Sequence, residues 1–158
     1  MLTRQPDGTW AVHLDAPERE LLASLADQLD ELIDDDPGDA GLRRLFPTAY
    51  LDDPKREEEF QLLAGDELRA SRRAALAVLR STAAAGVLDD DQATAWLQAL
   101  NALRLVVGTR LDVSEEDDGV VAADDPDAPL WAVYGFLTWL VSRAVTALTG
   151  SLGPPTQG

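Results

Sequence analysis

Asn101, Arg104 and Gly108 recur at spacings of three and four inside the apolar run from Trp96 to Leu111, with Thr109 and Arg110 beside them. That spacing sets the first three along one stripe of a helix. A guanidinium carried through an apolar helix needs an acidic or carbonyl partner, because an unpaired buried charge is costly. Two arrangements satisfy this. In one, the stripe lines a pocket that clasps a carboxylate or a partner loop, with Gly108 letting another backbone come close. In the other, Arg104 and Arg110 fasten the connection from Arg43 to Tyr50 and the neighbouring helix ends through carbonyls and carboxylates. The second is preferred, since buried ion pairs specify packing more often than chemistry.

A second set is Arg69, Arg72, Arg73 and Arg80. Arg69, Arg73 and Arg80 share one helical face and Arg72 borders it, which makes this basic face the best candidate for contact with phosphate. Its competing reading is pairing with the protein's own acidic loops. That reading is favoured because the chain carries 29 acidic against 13 basic residues, a formal net charge of −16. Such a surface repels nucleic-acid backbones, so direct DNA binding is not expected without a partner.

Other chemistry finds little support. The acidic runs Asp34–Asp36, Asp89–Asp91 and Glu115–Asp118 lack the glycine and glutamate positions of a calcium loop, and no metal or cofactor is expected. His13 is the only histidine and there is no cysteine. A Ser-His-Asp triad would therefore depend on His13, which falls in the strand expected over Thr9–Leu14, and thiolate zinc sites and thiol switches are excluded within this sequence. No phosphate-binding glycine loop and no nucleophile elbow occurs. No catalytic residue is assigned.

The elements that must hold these residues are mostly helical. Pro6-Asp7-Gly8 is a turn signal ahead of alternating Trp10, Val12 and Leu14, which reads as a hairpin or single strand. Asp15 caps a helix over 16–34 whose apolar residues recur at helical spacing. A connection over 35–53 follows, in which Arg44, Phe46 and Tyr50 are expected to anchor against the core. Asp53-Pro54 opens another helix, which Gly65-Asp66 bends or restarts, the second half running over about 66–84. Asp89 caps a helix over about 90–111. Residues 112–129, rich in Asp and Glu, read as a mobile loop. The last helix, about 129–149, is apolar almost all round, which marks it as central in a bundle or dimer-forming rather than membrane-spanning.

Four blocks carry a resemblance: Arg44-Leu45-Phe46-Pro47-Thr48-Ala49-Tyr50; Glu59-Phe60 with Leu68-Arg69; Trp96 to Leu111 above all; and Leu137-Thr138-Trp139-Leu140. Together they resemble the actinobacterial AosR-like family, oxidative-stress transcriptional regulators long catalogued as a domain of unknown function. The resemblance runs from about Trp10 to Leu148. Members are often encoded beside the ClpS protease adaptor. It implies a transcriptional regulator, with RNA polymerase or a sigma factor as partner. Two departures stand out. Ala102 replaces an acidic residue common after the asparagine, and sensing through the chain's own thiols is impossible without cysteine; Met1 is the only methionine.

The expectation is thus an all-α single domain over 1–150, a bundle of about five helices with a small N-terminal β element, and a flexible tail over 151–158. Its function is non-enzymatic regulation through protein contacts, in the cytoplasm and as a homodimer. The alternatives are an accessory factor of the ClpS–Clp proteolysis pathway, or an enzyme with a polar pocket around Asn101, Arg104 and Arg110.

Overall fold

The computed structural model describes residues 1–36, 38–46, 53–60, 65–111 and 126–150. In chain order it has β1 (Leu2–Arg4), β2 (Trp10–Val12), α1 (Ala16–Asp35), a 3-10 turn (Ala40–Leu42), α2 (Pro54–Phe60), α3 (Asp66–Thr82), β3 (Val87–Leu88), α4 (Asp90–Arg110) and α5 (Ala128–Gly150). The five helices and the N-terminal hairpin agree with the sequence reading. Tyr50, the block Pro47–Tyr50, the run Glu115–Asp118 and the tail 151–158 lie outside the described residues.

Gly8, at φ +89°, turns β1 into β2, a conformation that needs no Cβ. The hairpin is antiparallel, with Leu2 opposite Val12 and Arg4 opposite Trp10. His13 falls just beyond the strand and shares a 2.8 Å hydrogen bond with Thr3 Oγ1. β3 adds a third antiparallel strand that the sequence did not suggest: Trp10 lies opposite Leu88. The sheet thus stitches the N-terminus to the α3–α4 junction.

Two capping boxes set the main helix starts. Asp15 accepts from the Glu18 amide while the Glu18 side chain accepts from the Asp15 amide; Asp89 and Gln92 repeat this at α4. Each satisfies two amide donors that the first helical turn leaves open.

The central helix is α4, as the apolar run from Trp96 to Leu111 suggests, so of the two places expected for the last helix, central or dimer-forming, the central one is taken by α4. It packs against α3 on one side and α5 on the other, and also meets α1, β3 and the 3-10 turn. Ala93, Trp96, Ala99, Leu100, Ala102, Leu103, Val106, Val107, Gly108 and Thr109 are all buried. Small residues there admit neighbours from several directions. By contrast, α5 buries only Leu137, Leu140, Val141 and Ala144. Trp139 and Val145 stay 45% and 41% exposed. Among the described residues, α5 is the one helix long and apolar enough by length and composition to cross a membrane; here it packs on α4.

Candidate functional site

On α4, Arg104 Nη2 donates to Asn101 Oδ1 at 2.7 Å, so the guanidinium's partner is a neutral amide one turn back rather than an acid from another element. Its Nε is buried and makes no hydrogen bond. The Thr109 hydroxyl donates to Leu105 O at 2.7 Å, which satisfies it within the helix. Arg110 reaches Asp39 Oδ1 at 3.5 Å. Asp39 also accepts from the Gly41 amide at 2.7 Å, so Arg110 holds the cap of the 3-10 turn after α1.

Gly108 faces side chains, not the backbone the sequence suggested. A Cβ there would lie 3.0 Å from Tyr134 Cε2 and 3.4 Å from Arg44 Nη1. The missing side chain thus makes room for an α5 ring and for Arg44. Phe46, close by in sequence, is half-buried against the core. Alanine at Gly108 gains about 1 kcal/mol in helix propensity, and this offsets the small ring shift it forces. Gly108→Ala should therefore stay within about 1 kcal/mol of wild type, whereas Gly108→Leu should cost about 2–3 kcal/mol by overpacking. Urea unfolding of the two variants checks this contrast.

The arginine face of α3 is paired with a helix, where the sequence suggested loops. Arg73 donates to Asp30 at 2.8 Å and to Asp34 at 3.1 Å. Arg80 donates to Asp27 at 3.0 Å, with Asp30 Oδ2 at 3.7 Å. Arg69 pairs with Asp66 on its own helix. Asp27, Asp30 and Asp34 follow one another at spacings of three and four along α1, so one acidic edge meets one basic edge across the α1–α3 contact. Asp30 and then Asp34 raise the Arg73 guanidinium further above its ordinary range. Arg72 departs from the set: its Nε is buried and makes no hydrogen bond. A cleft of about 400 Å³ lies at the Asp34, Asp66, Arg69 and Arg73 end of this seam. Among the described residues, no three of His, Asp and Glu gather closely enough to hold a metal ion.

Two polar clusters escaped the sequence reading. Arg19, in the first turns of α1, donates to four backbone carbonyls: Leu14 and Ala83 at 3.0 Å, Ala85 at 2.5 Å and Val12 at 3.1 Å. The available signal was a cation near a helix N-terminus, where the dipole disfavours it. The other cluster is Arg4, Trp10 and Asp90. Asp90 Oδ1 accepts from the Trp10 indole at 2.9 Å and from Arg4 at 2.7 Å. Arg4 lies over the Trp10 ring, 5.0 Å from its centroid.

The Trp10 indole, and then Arg4, hold the Asp90 carboxyl below its ordinary value. A depressed folded-state pKa contributes stability above the unfolded value, near 3.9, and loses it as pH falls through the folded value. The melting-temperature gap between wild type and Asp90→Asn should therefore be present at pH 7 and close on acidification below about pH 4. A gap that stayed constant to low pH would mean that the Asp90 charge contributes nothing.

Fold and site together define a small helical domain whose polar groups mostly engage one another. The chain belongs to the family described as a domain of unknown function, DUF2017, whose model matches residues 1–148. It is 30% identical over 132 residues to proteins named oxidative stress regulator AosR from Mycobacterium tuberculosis (strain H37Rv) and Mycobacterium bovis. Those alignments cover 73% of this chain and 61% of the relatives, so the chain spans about three fifths of their length. A Mycobacterium leprae relative is 32% identical over 129 residues, covering 71% of this chain and 59% of that protein. The resemblance to the AosR-like family therefore holds. No solved structure matches the chain.

Proposed function

We propose that this domain is a non-enzymatic regulator acting through protein contacts, in the oxidative-stress response for which its mycobacterial relatives are named. The observation that carries this reading is the internal pairing of the basic face. Arg69, Arg73 and Arg80 are held by Asp66, Asp30, Asp34 and Asp27. A chain of net charge −16 with its basic cluster so engaged is a poor ligand for phosphate backbones. The site chemistry of α4 points the same way, since Asn101, Thr109 and Arg110 are engaged by the protein's own atoms. With no cysteine in the sequence, the signal reaches this domain from a partner rather than through its own thiols.

The contacts we propose are with RNA polymerase or a sigma factor, in the cytoplasm, and between two copies of the chain. Self-association is supported by the outer side of α5, where Trp139 and Val145 are exposed and Arg143 lies 5.8 Å from the Trp139 ring centroid. Fluorescence polarisation with labelled promoter DNA, paired with sedimentation of the same sample, tests the reading. The expected result is a dimer with no DNA binding at micromolar protein and physiological salt. Tight, salt-sensitive DNA binding by the pure protein would refute it.

A further inference from the structure

We infer that the groove between α1 and α5 seats a cationic amphipathic helix of a partner protein, which narrows the interaction reading above to one face and one ligand chemistry. Both helices pack on α4, yet they barely pack on each other. Between them run two clefts of about 280 and 270 Å³, in succession along α1. One wall is Leu21, Leu25 and Leu32 of α1, and the other is Leu130, Val133 and Phe136 of α5. Leu103, Val106 and Val107 of α4 form the floor of the larger cleft. All six wall residues are only half-buried, so the fold leaves their apolar surface partly open to water.

The shape suits a helix. From Leu21 to Leu32 the wall runs along one face of α1 for roughly 17 Å, or three turns, the span over which i, i+3, i+4 and i+7 anchors engage a groove.

Charge selects the occupant. Glu18 lines the smaller cleft. Gln28 lines the larger one, and Glu31 and Asp35, three and seven residues further along α1, are exposed. Asp127 is exposed just before α5. The one cation in the lining, Arg110, is held by Asp39. A rim of this sign on a chain of −16 attracts a basic helix and repels an anionic lipid surface.

The test uses the full chain and a fluorescein-labelled peptide of ~18 residues, about five turns, with leucines at i, i+3, i+4 and i+7 and lysines on the opposite face. Anisotropy should show saturable binding, weakened at least about tenfold by scrambling the peptide at constant composition, and equally by Leu25→Glu or Ala132→Glu. Ala132 is exposed, so its variant keeps the fold, and circular dichroism confirms this. Equal affinity for the scrambled peptide, no loss in either variant, or no binding at all overturns the inference. A dimer that both substitutions convert to monomer also overturns it, because a second copy would then own the groove. Any of these failures leaves the broader interaction reading standing if a discrete protein partner is still recovered from the native host.

Discussion

Arg19→Ala is expected to lower folding stability by about 3 kcal/mol, although Arg19 sits near the start of a surface helix where alanine is normally neutral or better. The reason is the set of carbonyls it serves. Nη2 holds Val12 at the end of β2, Nε holds Leu14, and Nη1 spans Ala83 and Ala85 in the turn after α3. In the same place the Val12 amide donates to Gly86 O at 2.9 Å. One guanidinium therefore joins the sheet, α1 and the α3–β3 turn. Removing it leaves four partly buried acceptors that water can reach only in part, and hydrogen bonds to a charged donor are each worth more than neutral ones. In a domain of this size the loss corresponds to a fall of roughly 6–12 °C in Tm. Arg19→Lys should recover less than half of it, because an ammonium cannot spread donors over four acceptors in a plane. An unchanged Tm for Arg19→Ala would show that the carbonyls are solvated without it.

The second large effect is expected at Trp96, the first residue of the block that carries the family resemblance. Trp96 is fully buried. Its indole donates to Thr82 Oγ1 at 2.7 Å, and that hydroxyl donates in turn to Val78 O at 2.5 Å. The side chain thus fills the α3–α4 contact and ends in a satisfied polar relay. Trp96→Ala removes a large apolar volume from the centre of the fold and should cost about 3–5 kcal/mol. Against a total of about 5–15 kcal/mol, that brings the domain close to unfolding. Trp96→Phe separates the two contributions: it keeps most of the buried area and deletes the indole donor, while Thr82 keeps its bond to Val78. It should cost about 1–2 kcal/mol. Chemical denaturation of both variants reads the difference. Equal losses would mean that the hydrogen bond, and not the packing, holds this contact.

Much of this architecture was readable from local signals. Asp15 with Glu18 and Asp89 with Gln92 are capping pairs, and both box geometries form. Pro6-Asp7-Gly8 marks the hairpin turn. For the last helix, the apolar run through Trp131, Phe136 and Trp139 left a central and a dimer-forming place open, because an apolar count does not say what covers each face. The helix that is buried is α4, where Ala93, Ala99, Ala102 and Gly108 let neighbours approach. β3 escaped because two residues, Val87 and Leu88, show no period.

The candidate site was readable only in part. The Asn101–Arg104 pair follows from its spacing, since both residues lie on one helix. The partners of Arg73 and Arg80 lie 39 to 53 residues away on α1. Among 29 acidic residues, spacing alone does not single out Asp27, Asp30 and Asp34. Arg19 was hidden for a related reason. Its partners are backbone carbonyls, which leave no mark in the sequence. The groove between α1 and α5 depends on how two helices sit on a third, which the apolar period of either helix does not encode.

The most direct test of the proposed function is affinity purification of the tagged chain from its native host with mass spectrometry, run beside the Ala132→Glu variant. Reproducible, near-stoichiometric recovery of RNA polymerase or a sigma factor is expected with the wild-type chain, and loss of that partner with the variant. Recovery of ClpS or a Clp subunit without polymerase would contradict the transcriptional reading in favour of regulated proteolysis. Recovery of no discrete protein would contradict regulation through protein contacts.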